Sequence, residues 1–148
     1  MRIIKLMLSV LLCAGFVAPH LANAADNASV HAILVIASNA KAPADPRLAP
    51  YEAELQRNVP ESSFRLAGEG SASVSGNGRA TIGLGGGHKV ELQGEPGGGA
   101  GVKLKVDWLN GRNTVISGSF TLERGIPMML GRRPSGDGEV PIVLLIAN

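Results

Sequence analysis

The sequence predicts a mainly β chain, an antiparallel β-sandwich or small open barrel of about seven or eight strands with one N-terminal helix. Three observations lead there. From Ser63 onward, apolar residues recur with a period of two, the pattern of strands with one buried face. Glycine-rich turn clusters interrupt that pattern at short intervals. Two continuous apolar runs, Val30 to Ala37 and Val140 to Ala147, stand near opposite ends of the chain, and continuous hydrophobicity predicts strands covered on both faces.

The chain opens with an address. Arg2 and Lys5 precede the apolar run Leu6 to Val17, whose 12 residues fall short of a membrane-spanning helix, and Ala22 and Ala24 put small residues where a signal peptidase reads them. The expected products are a Sec-type signal peptide, 1–24, and a single domain, 25–148, exported to the periplasm or beyond, with no integral membrane span after cleavage. Arg2 and Lys5 leave with the signal, so 14 basic and 12 acidic residues become 12 and 12. A net charge near zero and scarce aromatic residues argue against a nucleic-acid partner. Cys13, the one cysteine, leaves too, which removes disulfides and thiolate metal sites from the mature chain. Asn27-Ala28-Ser29 matches a glycosylation acceptor, but it reads better as a frayed mature N-terminus.

Each element has its own signal. Asp45-Pro46 is a cap-and-first-turn pair for a helix, and Leu48, Tyr51, Leu55 and Val59 fall on one helical face. Pro60 closes the helix, and Pro50 marks an alternative start. Phe64-Arg65-Leu66 starts a strand that continues through the small residues Ser71 to Val74, and Gly76-Asn77-Gly78 turns it. Arg79 to Leu84 and His88 to Gln93 alternate on either side of Gly85-Gly86-Gly87, which predicts a β-meander. Val102 to Trp108 is the clearest strand: Val102, Leu104, Val106 and Trp108 face the core, while Lys103, Lys105 and Asp107 face water. Thr114 to Glu123 returns with Gly118 as a bulge or close approach, and Pro127 gives the strand Ile126 to Leu130 an edge position.

The chemistry is sparse. Gly83-Leu84-Gly85-Gly86-Gly87-His88-Lys89 lacks the Gly-Lys-Ser/Thr order of a phosphate loop, and strand pattern follows where a helix N-terminus is needed. His31 and His88 have no second ligand at zinc spacing; His31 reads as a packed residue and His88 as a solvated turn residue. No G-x-S-x-G elbow selects a nucleophilic serine, and Glu52 and Glu54, two apart on a helix, do not face each other. The sequence therefore assigns no catalytic, cofactor-binding or metal-binding residue. Its candidate interface residues are Arg132 and Arg133, a basic pair in a loop, and Gly97, Gly98 and Gly99, the tip of the second glycine cluster.

VHAILVIASN, DPRLAPYEAELQ, SSFRLAGEGSASV, FTLERGIPMMLG and PIVLLIAN, taken in order, resemble a group of small exported bacterial β-domain proteins with no assigned activity. Thr114 to Asn148 also resembles the strand, Gly-turn, strand element of secretin-type secretion proteins, from which it departs at Gly131-Arg132-Arg133. An exported single β domain with no convergent polar constellation predicts a noncatalytic periplasmic or envelope module whose partner is an envelope protein or component, and the secretin resemblance favours an association with secretion or envelope assembly. A small exported hydrolase acting on peptide or glycan is the alternative, and it requires His31 or His88 beside a serine or carboxylate. A carbohydrate-binding domain would require Trp108 or Tyr51 exposed on a sheet face.

Overall fold

The computed structural model describes residues 27–97, 99–131 and 138–148, so the expected signal peptide, 1–24, lies outside the described residues. Eight strands form two four-stranded antiparallel sheets: β1 (Asn27–Ser38), β2 (Ser63–Ser75), β3 (Arg79–Gly85), β4 (His88–Gly94), β5 (Val102–Asn110), β6 (Asn113–Leu122), β7 (Met128–Gly131) and β8 (Val140–Ala147). The first sheet has the order β2-β1-β8-β7, and the second is the meander β3-β4-β5-β6. This is the predicted sandwich, and its meander matches the predicted strands closely.

The two apolar runs pair with each other. β1 and β8 are antiparallel neighbours in the middle of the first sheet, with Val30 opposite Ala147 and Ala37 opposite Val140. Their inner residues, among them Val30, Ala32, Leu34, Val143 and Leu145, meet Val90, Leu104, Val106 and Trp108 of the second sheet. Their outer residues Ile33, Val35, Ile142 and Leu144 form a second cluster with Leu48 and Leu55. Burial on both faces accounts for runs that do not alternate.

The predicted single helix is two pieces. A 3-10 turn, Pro46–Leu48, is capped by the Asp45 side chain, and α1 follows at Glu52–Asn58. Pro50 has no N–H to contribute and sits at the break. The apolar face survives it: Leu48 and Leu55 are buried, and Tyr51 and Val59 pack against the same cluster. Asp45 also accepts from Arg47 Nε, at 3.1 Å, and from the Leu66 backbone at 3.2 Å, which fixes the turn to β2. The Arg47 hydrogen bonds hold the Asp45 carboxyl well below the usual carboxylate range.

β2 carries a bulge that sequence alternation did not show. Leu34 pairs with Gly68 and Val35 with Leu66, leaving Ala67 unpaired. Phe64 and Leu66 consequently face the helix, while Val74, of the same parity, joins the core between the sheets. Gly118 is the close approach rather than a bulge: it pairs with Val106, and the Phe120 ring would lie 3.2 Å from a Cβ there. The bulge in β6 is at Val115, between the partners of Trp108 and Leu109.

Two glycines permit contacts that no side chain allows. A Cβ on Gly68 would sit 1.7 Å from the Leu84 carbonyl oxygen, and one on Gly94 would sit 1.8 Å from that of Gly76. Because these obstacles are backbone, Gly68→Ala and Gly94→Ala are each expected to destabilise the domain by about 3 kcal/mol or more. Gly83→Ala meets nothing within 4 Å and should change stability by less than about 0.5 kcal/mol. Urea unfolding of the three variants checks the contrast.

Candidate functional site

Two of the predicted interface residues, Gly97 and Gly99, are among the described residues. Gly97 and Gly99, both at positive φ, line a cavity of about 290 Å³ with Val74, Asn77, Lys103 and Leu104. Gly98, Arg132 and Arg133 lie outside the described residues. Gly131, the residue before Arg132, lines a different cavity. The first glycine cluster is a turn: Gly85, Gly86 and Gly87 all have positive φ and join β3 to β4.

Each histidine has partners. His31 and Ser71 are opposite each other across β1 and β2, with Ser71 Oγ 3.1 Å from His31 Nδ1. His31 Nε2 lies 3.3 Å from Glu69 Oε2. A carboxylate only accepts, so Nε2 carries the proton and Nδ1 accepts from the serine hydroxyl. That is the order of a nucleophile, base and orienting acid. Its setting is a sheet surface: the His31 and Glu69 side chains are 34% and 51% exposed, and none of the three residues lines a described cavity. Ser71 and its neighbours are paired with β1 along the β1–β2 ladder. Residues 38 and 40 positions apart form this group, so local sequence patterns could not reveal it.

His88 is not the solvated turn residue that was expected. It is the first residue of β4, and the Trp108 indole N–H donates to its Nδ1 at 3.2 Å, with the rings 5.8 Å apart. Burial pushes the His88 pKa down, and Nδ1 must be unprotonated to accept this bond. Trp108 itself is 0% exposed, and Tyr51 is packed against the cluster under α1. Trp108 offers no exposed sugar-stacking face, and Tyr51, partly buried, stands at the start of α1 and not on a sheet face.

The largest described cavity lies where α1 meets the edge of the first sheet. It is a groove of about 800 Å³ lined by Val59, Pro60, Pro127, Met128, Met129 and Ile142. Glu54 and Glu61 supply its charged groups among the described residues. Glu61 is 8% exposed, and no buried side-chain nitrogen or oxygen among the described residues lacks a hydrogen-bond partner. One wall is β7, which pairs with β8 on one side and with no described strand on the other. Pro127 foretold the edge position; the groove beside it draws on three separated segments and had no local signal. No group of three or more metal-ligating side chains occurs among the described residues, and no described helix is long and apolar enough to cross a membrane.

The Trp108–His88 bond gives a pH dependence. A histidine whose folded pKa is lowered binds fewer protons folded than unfolded, so its stabilisation is complete above about pH 6.5 and is lost as pH falls through that value. Thermal melts are expected to show a falling Tm from pH 7.5 to pH 5, and His88→Gln should flatten that fall. An unchanged slope in the variant would assign it to other groups.

No protein-family model, no curated protein and no solved structure matches this chain.

Proposed function

We propose that this chain is a noncatalytic, exported interaction module of the cell envelope or periplasm, which engages another protein along the β7 edge. The observation that carries the reading is the outer hydrogen-bonding edge of β7, which no described strand pairs, beside the Met128–Met129 groove. Natural sheets usually cover or blunt such an edge, and a strand left with an apolar groove along it suits a partner's extended segment. Methionine adds to the case, because its unbranched thioether chain adapts to differently shaped partners. The export signal supports the location. The stretch that resembles the secretin element, Thr114 to Asn148, includes β6, β7 and β8, which supports an association with secretion or envelope assembly.

One observation favours a second reading, an exported hydrolase acting on peptide or glycan. Ser71, His31 and Glu69 stand in hydrogen-bonding order. That none of the three lines a described cavity weighs against it.

The two readings separate in one set of preparations. The domain 25–148, used as bait on crosslinked envelope fractions, is expected to retain a partner that Met129→Lys loses by roughly tenfold. Ser71→Ala is expected to capture that partner as well as the parent does. A monodisperse protein with no partner, and with peptide or glycan turnover abolished by Ser71→Ala, would replace the module by the hydrolase.

A further inference from the structure

We infer that Ser71 is an acyl acceptor: its hydroxyl takes the acyl group of an activated ester or thioester in one covalent step, with His31 as the general base. This goes beyond the reading of the chain as an interaction module and does not depend on it. The group lies on β1 and β2, on the side of the β2-β1-β8-β7 sheet away from β7.

The pairing of β1 with β2 brings the three side chains together. His31 is opposite Ser71, and Glu69 stands two residues before Ser71, opposite Ile33. Residues two apart on a strand share a face, so Glu69 and Ser71 flank the imidazole. Ser71 Oγ is 3.1 Å from Nδ1, and Glu69 Oε2 is 3.3 Å from Nε2. The carboxylate holds the proton on Nε2, which leaves the Nδ1 lone pair to the hydroxyl. All three backbones are fixed in the ladder, so only side-chain torsions remain to be set.

The same strand supplies its own comparison. Ser73 and Ser75 are exposed like Ser71 and share its face, but they are opposite Ser29 and Asn27. Of the three serines, Ser71 is the one hydrogen-bonded to an imidazole. A serine hydroxyl is a weak nucleophile until an adjacent base activates it.

Exposure decides the kind of donor. The His31 and Glu69 side chains are 34% and 51% exposed, and none of the three residues lines a described cavity. Amide and glycosidic bonds, whose leaving groups must be protonated as they depart, ask for more positioning than an open face gives. The donor must therefore bring its own reactivity, as a carbonyl carbon that already carries a good leaving group, a phenolate or a thiolate. Oγ bonds to that carbon as its proton passes to Nδ1, and the Glu69 carboxylate faces the imidazolium that forms. The bond to the leaving group then breaks, and its oxygen or sulfur departs with the electron pair and takes the proton from Nδ1. The products are O-acyl-Ser71 and a free phenol or thiol, with nothing oxidised or reduced.

The probe is p-nitrophenyl acetate, incubated with the mature chain expected from signal cleavage, 25–148. It is expected to release a single equivalent of p-nitrophenol and to leave an acetyl group on Ser71, located by peptide mass mapping. Acetylation of Ser71 should run at least roughly tenfold faster than that of Ser73 in the same molecule. That ratio is read in the unaltered chain and stands even where a variant fails to fold. His31→Gln should bring Ser71 down to the rate of Ser73. Glu69→Gln should do less, because the amide oxygen still accepts from Nε2 and keeps the tautomer. Equal acetylation of Ser71 and Ser73, or a Ser71 rate that survives His31→Gln, overturns the inference. So does release that persists in Ser71→Ala and disappears in His31→Gln, which makes the imidazole the nucleophile. Continued release that Ser71→Ala abolishes means that the acyl-serine is hydrolysed, and it replaces the acceptor by the hydrolase. Partner capture along β7 is read separately, so failure of either experiment leaves the other standing.

Discussion

The fold depends on a close backbone approach at Gly68, made possible by the bulge one residue earlier. Without the unpaired Ala67, the residues after Leu66 would keep facing α1, and Val74 would leave the core between the sheets. With it, Gly68 and Gly70 turn inward where β3 lies against β2, and the missing side chains let the Leu84 carbonyl and the Ile82 methyl come close. Contact between β2 and β3 closes one side of the sandwich without hydrogen bonds between the sheets. The same change of parity turns Glu69 and Ser71 outward, where they meet His31. The surface polar group is thus a consequence of how the sandwich closes.

Closure on one side leaves the other side with two edges. β6 and β7 each end a sheet among the described strands, and β7 is the shorter and more apolar. The centre of the first sheet compounds the asymmetry. β1 and β8 need cover on both faces, and the 3-10 turn with the seven residues of α1 provides it over Val35 and Ile142. So short a helix does not extend across β7, and the space between them is the groove. Burial of the sheet centre and exposure of its rim come from one economy of cover.

Most of the strands were legible because each is a local pattern. Alternation from Val102 to Trp108, the triple glycine at 85–87 and Pro127 before an edge strand each report on neighbours in sequence. The two apolar runs revealed their shared burial by failing to alternate. What escaped was non-local. The bulge at Ala67 is set by pairing with β1 and by the approach of Leu84, and nothing in LAGEG distinguishes a bulge from a plain strand with small residues. His88 looked like part of a glycine turn because its partner, Trp108, is on the next strand. The groove joins residues 54–61, 127–131 and 140–142, which only the folded topology brings together.

The absence of a local chemical motif and the presence of an edge are related physically. Catalysis needs several polar groups aimed at one point in a water-poor cavity, and each must be held by neighbours that have already lost their freedom. Here the exposed His31 group has its order but lies on a sheet surface, outside the described cavities, where solvent screens it. Strand addition needs less: a row of backbone groups already held in register and a face beside it to take side chains. β7 meets those terms because β8 fixes its register over four residues and the groove follows its outer face. Both the edge and the groove come from segments that only the folded topology joins, and neither is a motif that a linear sequence displays.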